Sequence, residues 1–511
     1  MLRKVIRNTT IISLGTLLSR ILGFIRDVLM ANFFGTSADL ESFIVAFRIP
    51  NLLRSLFGEG FSESVATPTL SEHSENKREF FKIGNHLISI FIVLLLVATF
   101  MGVIFSKFIV IVMAPGFIVN AYKFNLAVLF TRIMFVYLFL IGLETNIESI
   151  LCALKKFFVT AFSPCIFNIV LILGILLFTN VLNIFVLVWA VITAGILEIL
   201  FSFIFLKSEG FKLEFNFLEA LHNNIIHKMI KLFIPRVWSA VIYHLNVLID
   251  TALSSFSSIV GEGALAAIYY SNRIIQFPLA LIALSISRVA IVDFSQFNKD
   301  GNLEDFKKLF IFSFESIALF IIPISFFLFF NSKDILRILF LRGNFDNYSL
   351  NITSKALFFY SFGLFFFCGI KLLVNTFYSL KDTLTPAKVA TFSLIVNALT
   401  SALFMFPLKI GGIALGSSIS ASVNFFILYY ILKKRIGVIK LEGFSKEIIK
   451  LTILGLGIGS ISKIIFRFCM NRYLSLIYVC IISLIIFVFL GTILRLKQFK
   501  YLKRWEKLKI N

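Results

Sequence analysis

The chain has 511 residues, of which 59% are apolar and only 15% charged, with a formal net charge of +22 and a mean hydropathy of +0.95. A soluble domain carries about a quarter charged residues, so this composition excludes a water-soluble fold and points to an all-α integral membrane protein. The 64 Phe residues occur with abundant Ile, Lys and Asn, which reads as codon bias of the source genome and not as an aromatic site.

Apolar runs of about 20 residues match the thickness of a bilayer core. They predict helices near 10–34, 38–66, 85–112, 124–152, 157–179 and 181–206, then near 226–256, 263–294, 309–330, 350–378, 386–407, 410–432, 446–467 and 473–494. About fourteen spans place both termini on one side. With the N-terminus in the cytoplasm, the cytoplasmic segments hold about thirty Lys and Arg and the opposite loops about eight, which is the positive-inside pattern. The basic excess, including Lys433, Lys434 and Arg435 and the tail RLKQFKYLKRWEKLK, is then topology and attraction to anionic lipid. Nucleic acid is not an expected partner. The opening MLRKVIRNTT and the span after it lack the short apolar region and A-x-A site of a cleaved signal peptide. The five cysteines lie in or beside apolar spans with no CxxC spacing, so they read as small hydrophobes, and no metal site is expected.

Two halves resemble each other at a shift of about 225 residues. AFRIPNLL and SVATPTLS in the second predicted helix meet SNRIIQFP and SRVAIVDFS in the eighth, which sets Arg48 near Arg273, Val65-Ala66 near Val289-Ala290 and Ser71 near Ser295. LKKFFVTAFSP (154–164) meets LKDTLTP (380–386) in the same order. Each half holds six spans, so the repeats are parallel, and transporters built this way bind substrate between their halves near mid-membrane. The expected organisation is an N-lobe of helices 1–6 over 1–207, a cytoplasmic linker over 208–225, a C-lobe of helices 7–12 over 226–435, and a final helix pair with a basic cytoplasmic tail over 436–511. The GLGIG of helix 13 (455–459) allows close helix approach or a smooth face against lipid.

Ionisable groups inside spans cost at least about 2.5 kcal/mol at the bilayer centre on insertion scales, so their positions are informative. Helix 1 carries Arg20, Arg26 and Asp27, helix 2 carries Glu41, Arg48, Arg54 and Glu59, and helix 8 carries Arg273. Arg20 with Asp27, and Glu41 with Arg48, are two turns apart on one face and are candidates for structural salt bridges. Arg26, Arg54 and Arg273 have no such partner on their own face. Five arginines against Asp27, Glu41 and Glu59 leave a positive excess, and guanidinium forks suit phosphate oxygens. The competing reading is a neutralised network that braces the bundle. Arg132, Glu144, Glu148, Glu198 and Glu315 read as interhelical structural charges, Arg288 and Asp293 as snorkelling groups, and Asp250 as a possible ligand for a coupling monovalent cation. Pro50, Pro164, Pro235, Pro278 and Pro386 favour kinks.

LSRILGFIRDVLMANFFG, AFRIPNLLRSLFGEGFS, YYSNRIIQFPLAL, LKDTLTPAKVA and GGIALGSSISASVNFF resemble the lipid II flippase family, also called the MurJ or MviN family. Its superfamily also holds multidrug extruders and polysaccharide flippases, and the likeness runs over nearly the whole chain. The resemblance implies two six-helix lobes around a central cavity, plus a helix pair forming a groove for a polyprenyl tail. It implies that Arg20, Arg26, Arg54 and Arg273, with Ser19, bind a diphosphate-linked sugar head, and that Asp27, Glu41, Arg48, Glu59 and Gln276 support them. The substrate would be a polyprenyl-diphosphate-linked glycan, the location a bacterial inner membrane, and cell-wall synthesis proteins possible partners. No cofactor is expected, and membrane potential or a monovalent cation would drive the cycle. The chain departs from the family at Gln276, where Glu is common, and at SRVAIVDFS, where GTxxLPxLS is common. A cation-coupled exporter of another lipid-linked oligosaccharide or a drug would want carboxylates facing its substrate. A polyprenyl-linked glycosyltransferase would want a large extracytoplasmic loop with catalytic carboxylates, whereas 331–350 is short and its Asp334 and Asp346 match no motif. No P-loop or nucleophile motif appears, so the reading is transport without covalent chemistry.

Overall fold

The structure, a computed structural model, describes residues 2–437, 444–468, 472–494 and 496; the side chains of 2–9, 58–60, 63, 234–243, 444, 445, 468, 472, 473, 476 and 480 lie outside the described residues. Every described element is helical. In chain order these are α1 (Leu2–Phe34), α2 (Ala38–Ser55), a π-helical segment (Leu56–Ala66), α3 (Thr67–Glu72), α4 (Lys77–Ile104), α5 (Ser106–Met113), a 3-10 turn (Pro115–Val119), α6 (Ala121–Ala153), α7 (Phe157–Leu182), α8 (Phe185–Ser208) and α9 (Phe217–Leu221). They continue with α10 (Asn224–Ser254), α11 (Ser257–Val260), α12 (Ala264–Pro278), a second π-helical segment (Leu279–Ala283), α13 (Leu284–Lys299), α14 (Leu303–Phe340), α15 (Asn347–Ser379), α16 (Leu384–Leu408), α17 (Ile410–Ile436), α18 (Phe444–Phe468) and α19 (Arg472–Ile493). Ten of the described helices, or continuous pairs of them, are long and apolar enough to cross a membrane. The helical runs 2–34, 38–72 and 224–254 fall outside that ten; the first two carry the buried and half-buried charges described below.

The helix ends carry the repeat that the sequence suggests, and sharpen its shift to about 226 residues. Non-glycine residues with positive φ occur as Lys155 and Lys381 (62° and 59°) and as Asn183 and Lys409 (48° and 56°), flanking α7 and α16 respectively. Gly35 and Gly261 also share positive φ. Asn76 caps α4 as Asn302 caps α14, and Asn120 caps α6 as Asp346 caps α15, each side chain accepting from an amide three residues on. Both halves contain a π-helical segment, at 56–66 and at 279–283. The second begins directly after Pro278, whose missing N–H breaks the α-helical ladder.

Contacts divide the chain differently from the repeat. One compact unit runs up to Phe256 with Arg342–Asn344, and the other takes Ser257–Leu341 and the residues from Phe345 onward. By repeat α10 is the counterpart of α1, and the sequence assigns it to the second lobe. By contact it belongs to the first unit, because it packs on the first π-helical segment and on α4 and α5, with Ser255 Oγ accepting from the Gly116 amide at 2.9 Å.

In the first unit α6 is central, covered by α2, α4, α7 and α8, with Phe61, Phe80, Phe91, Leu138 and Ile150 among its buried side chains. In the second, α15 packs on α12, α13, α14 and α17. The abundant Phe residues serve that packing, as where Phe314 stacks on Phe425 at 5.7 Å. Outward faces keep exposed apolar residues such as Leu177, Phe392 and Leu403, as lipid-facing helices require.

Gly455 and Gly459 of α18 meet α14, and Gly457 meets Leu490 of α19. A Cβ at Gly455 would lie 2.6 Å from the Phe326 ring, and one at Gly459 would lie 2.5 Å from the Phe330 ring and 3.0 Å from the Phe326 carbonyl oxygen. There α14 is kinked at Asn331, whose Nδ2 donates to Ser462 Oγ at 2.7 Å. Gly459→Leu is therefore expected to destabilise the second unit by about 1–3 kcal/mol, read as a lowered unfolding midpoint in detergent.

Between α15 and α16, Asp382 accepts from the Thr385 amide at 3.0 Å and its hydroxyl at 2.8 Å, and pairs with Arg435 of α17. Burial alone would raise this carboxyl, but the Thr385 bonds and Arg435 outweigh it and hold it below the usual carboxylate range. A depressed folded pKa stabilises above the unfolded value, about 4, and that stability is lost as pH falls through the folded value. Asp382→Asn should flatten the acid limb of the stability–pH curve, by no more than about 1 kcal/mol because Arg435 is largely solvated.

Candidate functional site

The charged side chains of α1 and α2 are held largely by partners from other helices. Arg26 is 8% exposed and Asp27 2%. The Arg26 guanidinium donates to Asp27 Oδ1 through Nη2 at 2.8 Å and Nε at 3.1 Å, and through Nη1 to Asn168 Oδ1 at 3.0 Å; it also lies over the Phe167 ring. Asn168, on α7, in turn donates to the Ser19 carbonyl at 3.2 Å and hydroxyl at 3.4 Å. The close crossing of α1 and α7 permits this, since a Cβ at Gly15 would meet the Ala161 carbonyl oxygen at 2.6 Å. Asp27 thus takes its ion pair from the adjacent Arg26, correcting the two-turn pairing with Arg20. Arg20 is exposed and makes no ion pair or hydrogen bond among the described residues.

Glu41 is also partnered across helices. Lys123 Nζ of α6 lies 2.6 Å from Glu41 Oε2, with both residues 1% exposed and the ammonium over the Phe117 ring. The spacing of Glu41 and Arg48 suggested a same-helix bridge. Lys123 supplies Glu41 with a buried partner from another helix, and Arg48 is half-buried with Nη1 at 3.5 Å from the Val247 carbonyl of α10. Two turns on, the Ser55 hydroxyl meets His244 Nε2 of α10.

Arg54 sits among carboxyls that sequence reasoning had set apart as structural. Its guanidinium is in electrostatic contact with Tyr137, Glu198, Glu148 and Glu144. Glu144 Oε1 accepts from Ser163 of α7 at 2.8 Å and Ser202 of α8 at 3.1 Å. The expected positive excess is therefore not spread over all the arginines. Arg26 is matched by Asp27 and Arg54 faces three carboxyls, whereas Arg20 has no ion-pair partner among the described residues. The Glu59 side chain, named with this group, lies outside the described residues.

In the second unit, Arg273 of α12 is half-buried, donates through Nη2 to the Tyr269 hydroxyl at 3.0 Å, and lies 4.9 Å from that ring's centre. Gln276, three residues on, is exposed. Asp250 is buried near the end of α10. Among the described residues no group of three or more His, Cys, Asp or Glu is arranged to hold a metal ion. Cys152, Cys165 and Cys368 are free thiols, and the side chains of Cys469 and Cys480 lie outside the described residues.

The functional neighbours that sequence reasoning missed are Lys123, Tyr137 and Asn168. Lys123 carried a signal, being a basic residue at the start of an apolar run. The polar Asn168 and Tyr137 are too common in membrane helices to stand out.

Residues 30–484 match the family described as "Lipid II flippase MurJ". A protein of Buchnera aphidicola subsp. Acyrthosiphon pisum, named as a probable lipid II flippase MurJ, is 35% identical over 426 residues, covering 82% of this chain and 81% of its own. A solved structure described as "Lipid II flippase MurJ, inward closed conformation" superposes with a TM-score of 0.79 at 27% identity, covering 94% of this chain and 98% of that one. An inward-facing multidrug resistance transporter of the MATE family shares the fold, with a TM-score of 0.69 at 13% identity over 82% of this chain and 95% of its own.

Proposed function

The chain belongs to the MurJ family of lipid II flippases, and from that premise we propose that it moves lipid II from the cytoplasmic to the outer leaflet of a bacterial inner membrane by alternating access, without covalent chemistry. As a multi-pass protein with helices long enough to span, it is assigned both termini in the cytoplasm by its Lys and Arg distribution; the more charged α1, α2 and α10 are proposed to cross as well. The observation that carries the reading is the exposed, unpaired Arg20 on a helix whose other mid-span cation is matched. A guanidinium left open at such depth needs an anion or water, and a diphosphate supplies the better partner.

Arg20 and Arg54 are the proposed diphosphate contacts in the first unit. Arg26, with Asp27 and Asn168, positions that face of α1, and Ser19 is tied to the same asparagine. Arg273 of the second unit is given the same anion-binding role by the sequence pattern. Membrane potential, worth about 2.3 kcal/mol per charge per 100 mV, is the proposed drive, and a cation at Asp250 is the second option. Collapsing the potential in vesicles while keeping cation gradients separates them, since unimpaired transport excludes the first. Cell-wall synthesis proteins that consume lipid II are the proposed partners.

The reading is tested by complementing a bacterium depleted of its own flippase. The wild-type chain should restore growth, and Arg20→Ala at equal expression should not. Rescue by both would remove the arginine from the site, and failure of a correctly inserted wild type would remove lipid II as substrate.

A further inference from the structure

The cluster around Arg54 holds more acid than anion binding requires. Glu144 and Glu148 stand one turn apart on α6 and Glu198 comes from α8; Glu144 and Glu198 are 2% and 1% exposed. Glu148 lies within electrostatic reach of Glu144, one turn away on the same helix. Glu198 Oε2 and the Tyr137 hydroxyl are buried and have no hydrogen-bond partner, and Tyr137, 1% exposed, faces Glu198 and Glu144.

The charged groups facing the cluster are Arg54 from α2, and Arg26 from α1, which faces Tyr137. Arg26 is already matched by Asp27. From α7 the cluster receives only the Ser163 hydroxyl, and from α8 the Ser202 hydroxyl beside Glu198. The side chains of Glu59 and Glu63, on the π-helical segment that also packs on α6, lie outside the described residues. Three ionised carboxyls against Arg54 alone would leave a net negative charge of two, walled by Phe47, Phe167 and the Tyr137 ring. Glu148 is half-buried, but Glu144 and Glu198 are fully buried, and leaving their charge uncompensated is costly. A proton is the smallest ligand that balances it, and Glu198 Oε2, bonded to nothing among the described residues, offers a place for one.

We propose that Glu144, Glu148 and Glu198 form a proton-binding site inside the first unit, whose loading frees Arg54 for an anion and whose unloading draws Arg54 back. Protonated carboxyls leave the guanidinium without a carboxylate, whereas ionised ones hold it. Proton and anion then favour one another, and by linkage the anion must also promote proton uptake. The second half rests on the flippase reading, because it takes the anion to be the lipid II diphosphate; the proton site itself does not.

Two measurements on the full chain in lipid nanodiscs test this. Infrared difference spectra recorded on stepping the pH should show a reversible protonated-carboxyl C=O band, diminished in Glu198→Gln and in Glu148→Gln. Lipid II binding, measured across the same pH steps, should weaken by about tenfold as the band is lost in wild type, and by much less in Glu198→Gln, whose near-isosteric amide preserves packing. A C=O band that ignores pH, or variants with the wild-type pH dependence of binding, would overturn the proposal while leaving the flippase reading intact. A titrating band in a protein that binds no lipid II at any pH would uphold the proton site and overturn both the link to Arg54 and the flippase reading.

Discussion

Lys123→Met is expected to destabilise the first unit by about 3–5 kcal/mol, the cost of removing one partner from a buried ion pair. Glu41 is 1% exposed and its Oε2 lies 2.6 Å from Lys123 Nζ, so the variant removes the cation that balances it in a medium without water. The double variant Lys123→Met with Glu41→Leu should recover most of the loss, because a well-packed apolar pair can match a buried ionic one. Thermal unfolding of the four proteins in one detergent measures the cycle. A single variant as stable as wild type would mean that Glu41 is neutral in the fold, and that this pair does not fasten α2 to α6.

The second large effect separates scaffold from site on one helix. Arg26→Ala leaves Asp27, 2% exposed, without the guanidinium that binds it at 2.8 Å, and it removes the link to Asn168. Its stability should fall by about 3–5 kcal/mol, and adding Asp27→Asn should restore part of that. Arg20→Ala touches no such network, so its stability should change by less than about 0.5 kcal/mol. Its flipping rate should nevertheless fall at least about tenfold, the loss of one charge-assisted contact of about 1.5–3 kcal/mol. Unfolding midpoints and flipping rates on the same preparations read both quantities. Equal losses of stability in the two variants would merge Arg20 with the scaffold.

Much of this architecture is legible in the amino-acid sequence, because a bilayer admits few backbone solutions. Apolar runs locate helices to within several residues, and the repeat reads through AFRIPNLL and SNRIIQFP before any geometry is known. Where the reading fell short, the cause is physical. The run near 309–330 is the apolar middle of the longer α14, which starts at Leu303 and continues past the kink at Asn331 to Phe340. The run near 85–112 is two helices, α4 and α5, broken after Ile104. The π-helical segments carry no periodicity strong enough to announce them.

The charge network was legible only in part. Helical spacing shows which charges share a face, so it offered Arg20 for Asp27 and Arg48 for Glu41. The partners found, Lys123, Asn168 and the carboxyls around Arg54, come from helices that lie far away in sequence. Burial then selects the nearest opposite charge in space, and spacing along one helix cannot foresee it.

The central claim is that this chain carries lipid II across a bilayer by offering a guanidinium to its diphosphate. The most direct test is transbilayer movement of headgroup-labelled lipid II in liposomes containing the purified chain or its Arg20→Ala variant. Rapid loss of label protection with wild type, and loss at least about tenfold slower with the stable variant, is the predicted result. Wild-type liposomes no faster than protein-free ones, with the chain correctly folded and energised, would contradict it.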